Sequence, residues 1–208
     1  MTYSGAKKTI LIGQESTWGT AVTTDKDIGI VQDIKDATER ETSEVMGLGK
    51  IETQQVNTGN VFVNGGATLK LQHGRLFEYI LGSVAHAETT GDWKHTFTVD
   101  NSPPSFTIES SEDGSTDTTR KYAGCLVESG EISINNTEEL MLTCDWKGKT
   151  VASTASTTAA VIDTLITFPK SLVSVSIGGT AADEIQEAKI TFGKTVELAH
   201  GVGSNLAQ

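Results

Sequence analysis

The sequence predicts a mainly β protein: two packed antiparallel sheets, sandwich- or barrel-like, with one short flanking α-helix and a long loop. Three observations predict it. Glycine (21) and threonine (30) are abundant while proline is held to 3, a bias toward half-buried pleated surface and the turns between strands. Short segments of alternating apolar and polar residues recur at the spacing of a sandwich or barrel. A single segment breaks that period in favour of a helical one. The 208 residues suit one domain, 1–208, long enough to bury a full core without staples.

The strands follow in order. KKTILIG (7–13) and GIVQDIKD (29–36) come first, then NVFVNG (60–65) and ATLKLQ (67–72). KHTFTVD (94–100) is expected to pair with SFTIES (105–110) across SPP. KYAGCLVES (121–129), EISIN (131–135), ELMLTCDWKG (139–148), LVSVSIG (172–178) and IQEAKITFGKTVEL (185–198) complete the set. The exception lies at 73–82, where Leu76, Phe77, Ile80 and Leu81 make a helical stripe and Gly82 stands where a C-cap glycine belongs. These four residues are expected to seat the helix on a sheet, with Ile132, Ile134, Leu140, Leu142 and Trp146 in the same core.

Two stretches lack a clean period. Residues 38–58 are polar and charged around Val45, Met46, Leu48 and Ile51, and read as a long loop. A loop of that length usually has a function, and its apolar centre needs a cover. Residues 150–160, TVASTASTTAA, are uncharged and read as a flexible Ser/Thr/Ala loop.

Composition narrows the function. The formal charge is −11, and Arg40, Arg75 and Arg120 are the only arginines. Tight binding to duplex DNA or an anionic membrane needs a basic patch that such a chain does not readily supply. No apolar run is long enough for a transmembrane helix. The opening apolar stretch, Ile10 to Ile12, is too short for a signal-peptide core, so the chain is expected to stay where it is made.

Catalytic and metal motifs are not found. His73, His86, His95 and His200 form no zinc spacing. Cys125 and Cys144 fall on adjacent expected strands and read as free buried thiols. EDGSTD (112–117) lacks the ligand order of a calcium loop and reads as a turn, and Asn135-Asn136-Thr137 reads as hairpin chemistry. Neither GxSxG nor a P-loop occurs. No enzyme, cofactor or metal is expected.

Several collinear pieces resemble the phage tail tube, or major tail, protein family. The first is GQESTWGTAVTTDKDIGIVQDI (13–34). A small helix ending in LGS (81–83), a Gly and a His-Thr-Phe strand (91–97), and Pro-Ser-Phe-Thr-Ile-Glu (104–109) follow. Then come KYAGCLVESG (121–130), ISI and LMLTCDWKGK (132–149). The likeness covers most of residues 10–150, and the last third matches only as a generic β pair.

The resemblance implies a virion structural protein, assembled in the host cytoplasm, whose hexameric rings stack into a hollow tail. One sheet of each subunit would join its neighbours in a continuous barrel around the lumen. The implied partners are further copies of the chain, the tape measure protein, terminator and tip proteins, and viral double-stranded DNA passing without sequence-specific binding; no membrane is implied. The stretch 38–58, with Arg40, Glu41, Glu44, Val45, Met46, Leu48 and Ile51, would reach the next subunit or ring. Alternation in EISIN and IQEAKITFG sets Ile132, Ile134, Ala188, Ile190 and Phe192 toward the core. Glu131, Ser133, Asn135, Glu187, Lys189 and Thr191 then become the lumen-lining candidates. Two alternatives are a tube-forming protein of a phage-like injection or secretion machine and a non-polymerising Ig-like binding module.

Overall fold

A computed structural model of the chain describes residues 8–48, 53, 55–112, 118–135, 139–154, 167–169, 176–181 and 186–196. Elements are numbered in chain order. One antiparallel sheet runs β2 (Lys26–Asp27), β1 (Lys8–Gln14), β7 (Phe106–Glu112), β8 (Thr118–Asn135) and β10 (Thr150–Thr154). The other runs β13 (Glu187–Gly193), β8, β9 (Met141–Gly148), β4 (Gln55–Lys70) and β3 (Ile30–Val45). Helix α1 (Arg75–Leu81) leads into a hairpin of β5 (Gly82–Thr89) and β6 (Asp92–Val99). A two-stranded ribbon joins β11 (Ser176–Ile177) to β12 (Thr180–Ala181).

Strand β8 belongs to both sheets. Its first half pairs with β7 and β10, and its second half with β9 and β13. Register shifts between Val127 and Ser129, and between Phe106 and Ile108 on the paired strand, let it turn from one layer to the other. Gly124, at φ +71°, marks the corner. A Cβ there would lie 2.7 Å from Cβ of Lys149 and in a backbone region that side chains avoid.

The core lies between the layers. Ile10, Ile12, Phe106, Ile108 and Tyr122 face Val63, Leu69, Leu142, Cys144 and Trp146. Phe106 meets Trp146 edge-on, with ring centroids 6.5 Å apart, and Tyr79 of α1 at 4.7 Å. Cys125 and Cys144 are free and buried, and burial pushes the Cys144 thiol up to about 12 and Cys125 higher than its ordinary value.

Helix α1 ends as its sequence requires. Gly82 takes φ +111°, and its N–H donates to the Glu78 carbonyl. The expected helix 73–82 is observed as Arg75–Leu81. Leu76, Tyr79 and Ile80 are buried, while Phe77 and Leu81 are only partly covered. Phe77, half-buried against the core, also meets Phe97 of the β5–β6 hairpin at 5.6 Å between ring centroids, so it seats the helix as expected but is not fully buried.

A carboxylate organises the corner. Glu15, 7% exposed, follows β1. Gly19 N–H and the Ser105 hydroxyl donate to Oε2 at 2.9 and 2.8 Å. The Thr107 hydroxyl and Gly124 N–H donate to Oε1, each at 2.8 Å. The Trp18 indole donates to the Gly124 carbonyl at 3.2 Å, so both peptide groups at the corner are held.

Several sequence expectations are corrected. Within 38–58, residues 38–45 complete β3 and residues 55–58 begin β4, paired antiparallel with a register shift between Arg40 and Thr42, so these parts are strand rather than loop; residues 49–52 and 54 lie outside the described residues. The stretch has no hydrophobic period because neither face of this ribbon is buried. NVFVNG and ATLKLQ form one strand. Gly65 and Gly66 stay extended, because a Cβ on Gly65 would lie 2.2 Å from Nε1 of Trp146. KYAGCLVES and EISIN likewise join in β8. KHTFTVD pairs with residues 82–89, not with SFTIES, which lies between β1 and β8. Within 150–160, residues 150–154 are strand β10, and 155–160 lie outside the described residues. So do most of the EDGSTD turn, residues 136–137 of the Asn135-Asn136-Thr137 turn, most of the expected strand 172–178, and Ile51.

Two stability outcomes follow. Leu142→Ala is expected to lower the unfolding free energy by about 2–5 kcal/mol in urea titrations, and Phe77→Ala by only about 1–2 kcal/mol, because part of the Phe77 ring is already wet. Glu15→Ala strands four donors, two of them peptide N–H groups, and is expected to cost about 3 kcal/mol or more by the same measurement. Wild-type stability in that variant would mean the corner holds without its carboxylate.

Candidate assembly surfaces

The second sheet has two unlike faces. Opposite residues of an antiparallel pair share a face. In the β13–β8 register, Glu187 meets Asn135, Lys189 meets Ser133 and Thr191 meets Glu131. All six lumen-lining candidates therefore stand on one face. The same face continues through Thr143 and Asp145 of β9, Thr68 and Asn64 of β4, and Asp33 and Lys35 of β3, and it is interrupted by Met141 and by Ile30, which is 42% exposed. Sequence reasoning found only the β8 and β13 rows of it. The β9, β4 and β3 rows carry the same alternation and were legible in principle.

Polar side chains cross-brace this face. The Thr68 and Thr143 hydroxyls lie 3.2 Å apart, and the Ser129 hydroxyl donates to Asp145 at 2.9 Å. Three of its lysines are matched with acids: Lys189 with Glu131 at 3.3 Å, Lys147 with Glu128 at 2.6 Å and Lys70 with Glu139 at 2.8 Å. Lys70 holds the Glu139 carboxyl below its ordinary range, chiefly through their hydrogen bond. The pairs are partly exposed, so they neutralise charge more than they stabilise the fold.

The opposite face packs on the core, but unevenly. Ile132 and Phe192 pack against it, as their parity predicts. Ile190 is 48% exposed although it shares that parity. The sheet extends past the layer that covers it, and β13 lies at the overhang.

Neither lateral edge of this sheet is paired among the described residues. Among the described residues, β3 pairs only with β4 and β13 only with β8. Open edges present rows of backbone donors and acceptors that can pair with another chain.

The remaining candidates stand on an arm. Strand β9 ends opposite Val63, so beyond that point β3 and β4 pair with each other alone. Arg40, Glu41, Glu44 and Val45 are exposed on β3, and Met46 and Leu48 are exposed in the connection. Val56, exposed on β4, joins them and was not singled out in the sequence. A lone two-stranded ribbon is marginal in water. An apolar tip with no cover in its own subunit is the mark of a surface that another molecule covers.

A β-sandwich whose second sheet has unpaired lateral edges among the described residues, one largely polar face and an exposed arm offers surfaces for assembly. The sequence matches the family model described as phage tail tube protein over residues 5–207. The chain belongs to the phage tail tube protein family and is a structural component of a virion tail. Comparison with the curated proteins finds no match.

Proposed function

We propose that the whole chain, 1–208, acts as a single tail-tube domain whose hexameric rings stack into the conduit for viral double-stranded DNA during ejection. The observation that carries this reading is the second sheet. It has one face packed on the core, a largely polar opposite face, and edges unpaired among the described residues on both sides. Joining β3 of one copy to β13 of the next removes both edges and closes the sheets into a ring. The polar face then lines the lumen through Glu131, Ser133, Asn135, Glu187, Lys189 and Thr191.

The electrostatics suit passage. DNA carries about one charge per 1.7 Å of axis, so a basic wall would hold it. A face rich in hydroxyls, with three of its lysines matched to acids, offers no cluster of free cations among the described residues, and DNA slides past it. The β3–β4 arm, with Arg40, Glu41, Glu44, Val45, Met46, Leu48 and Ile51, binds an adjacent ring. The tape measure, terminator and tip proteins bound the tube, which assembles in the host cytoplasm before joining the virion.

Electron microscopy of the purified chain at rising concentration tests the assembly, with rings or tubes expected. Replacing residues 41–55 by a short Gly-Ser linker should keep the sandwich folded by circular dichroism while tubes disappear. Normal tubes from that variant would remove the arm from assembly. Glu131→Lys with Glu187→Lys should leave tubes intact but slow DNA ejection several-fold, most at low salt, where screening is weakest. An unchanged ejection rate at low salt would place these carboxylates away from the bore.

A further inference from the structure

Two histidines on the β5–β6 hairpin form a pair that neither the core nor the tube uses. His86 and His95 are 9 residues apart, which matches no zinc motif, and it is the turn that brings them together. The chain reverses at Thr90 and Gly91, with φ of 54° and 85°, and this two-residue reversal fixes the register that sets His86 opposite His95. Their Nδ1 atoms lie 2.7 Å apart. The rings stand nearly at right angles, 84° between planes and 4.9 Å between centroids. Both are exposed, and both line a groove of about 750 Å³ beside α1.

One neutral ring donates its Nδ1 proton to the other. That bond adds little to stability, because water offers exposed rings the same bond. The chemistry of the pair lies in what can replace the proton. When the donating ring carries its proton on Nε2 instead, an exchange that solvent allows, two Nδ1 lone pairs face a common point. Two neutral imidazoles so placed are a ligand pair for a divalent transition metal.

The spacing selects among such ions. With metal–nitrogen bonds of about 2.0 Å, a right-angled pair has its nitrogens about 2.8 Å apart, and a tetrahedral pair about 3.3 Å. The observed 2.7 Å is close to the right-angled value. Tetrahedral Zn(II) would have to spread the nitrogens by about 0.6 Å. Square or tetragonal geometry belongs to Cu(II) and Ni(II), and Cu(II) binds nitrogen sites the more tightly of the two.

Among the described residues, no three His, Cys, Asp or Glu side chains converge on one point. The other positions of the ion therefore belong to water or to a small chelating ligand, for which the groove has room. Glu88 stands two residues from His86 on the same face of the hairpin, opposite Trp93, and its charge favours a cation there.

We infer that His86 and His95 form a two-imidazole site for a divalent ion of the Cu(II) class, and that the bound ion staples β5 to β6. A two-stranded hairpin is marginal alone, and among the described residues β5 and β6 pair only with each other. An ion bound only when the strands are paired stabilises that pairing by mass action. The site lies within one subunit and does not rest on the tube reading.

Titration of the full chain with Cu(II)–iminodiacetate tests it. This probe keeps two adjacent positions free for a pair of imidazoles, and its electron paramagnetic resonance spectrum counts the nitrogens that fill them. His200→Gln, which removes a histidine outside the described residues, serves as the parent, and Cys125 and Cys144 are buried away from the probe. One ion per chain with two imidazole nitrogens is expected, together with slower hydrogen exchange in β5 and β6. His86→Gln and His95→Gln replace exposed side chains, so folding is not at issue. Each is expected to weaken binding at least about tenfold, no less than loss of an outer-shell partner costs a metal site. The Ni(II) form of the probe should bind more tightly than the Zn(II) form. A one-nitrogen spectrum, or binding unchanged in both variants, would overturn the site. Zn(II) binding at least as tightly as Ni(II) would overturn the right-angled geometry. Binding without slower exchange would overturn the staple.

Discussion

The fold depends on how the Glu15 carboxylate holds the corner of β8. Two sheets that share a strand can meet at many angles. Here the angle is set where Gly124 takes a positive φ and donates its N–H to Glu15. The same carboxylate draws in the turn at Gly19 and the entry to β7 at Ser105 and Thr107. A buried carboxylate without partners would cost several kcal/mol, and four donors of good geometry offset that cost. Lys149, 4.5 Å from the Trp18 ring centroid, covers the corner from outside. The direction of the second sheet, and so of everything it carries, follows from this joint.

A rigid corner matters because the second sheet is functional on one face only. Its apolar side must stay seated on Ile12, Phe106 and Tyr122 while its polar side faces outward. The overhang at Ile190 and the arm beyond Val63 lie outside the reach of that core. Both therefore stand where a subunit alone gains no burial energy from them. Stability of the monomer and stability of an assembly are thus separated in the sequence. The first resides in alternating Ile, Leu and aromatic residues, and the second in segments that look featureless until the edges are drawn.

That separation decides what the sequence revealed. Wherever one face is buried, alternation gave the strand and the parity, as in Glu131 to Asn135 and Glu187 to Gly193, which the structure pairs with matching faces. The helical stripe and Gly82 gave α1 to within two residues at its start and one at its end. Where both faces are wet, periodicity has nothing to record, and residues 38–58 read as a loop. The Gly65-Gly66 pair looked like a turn because the need for it lies on another strand, at Trp146. Residues 82–89 were passed over because their alanines and polar residues form a hairpin held by its ladder and by Phe77 rather than by the core. The role of Glu15 was hidden for a similar reason: three of its four donors lie about ninety or more residues away.

The balance of charge on the polar face has a physical logic that a uniformly acidic wall lacks. In a ring, every charge is repeated by each copy, and the seams between copies bring identical faces side by side. A face of unpaired carboxylates would repel DNA, but it would also repel the next subunit across the seam and weaken closure. Free lysines would ease closure and trap the phosphates. Matching Lys189 with Glu131, Lys147 with Glu128 and Lys70 with Glu139 escapes both costs, since each pair has a short-range field that falls away within a Debye length of about 8 Å. The hydroxyls of Thr68, Thr143, Ser133 and Thr191 then hold water at the wall without adding charge. On the proposed reading, the bore is mildly acidic, with three lysines matched to acids and Asp33, Asp145 and Glu187 keeping the balance negative.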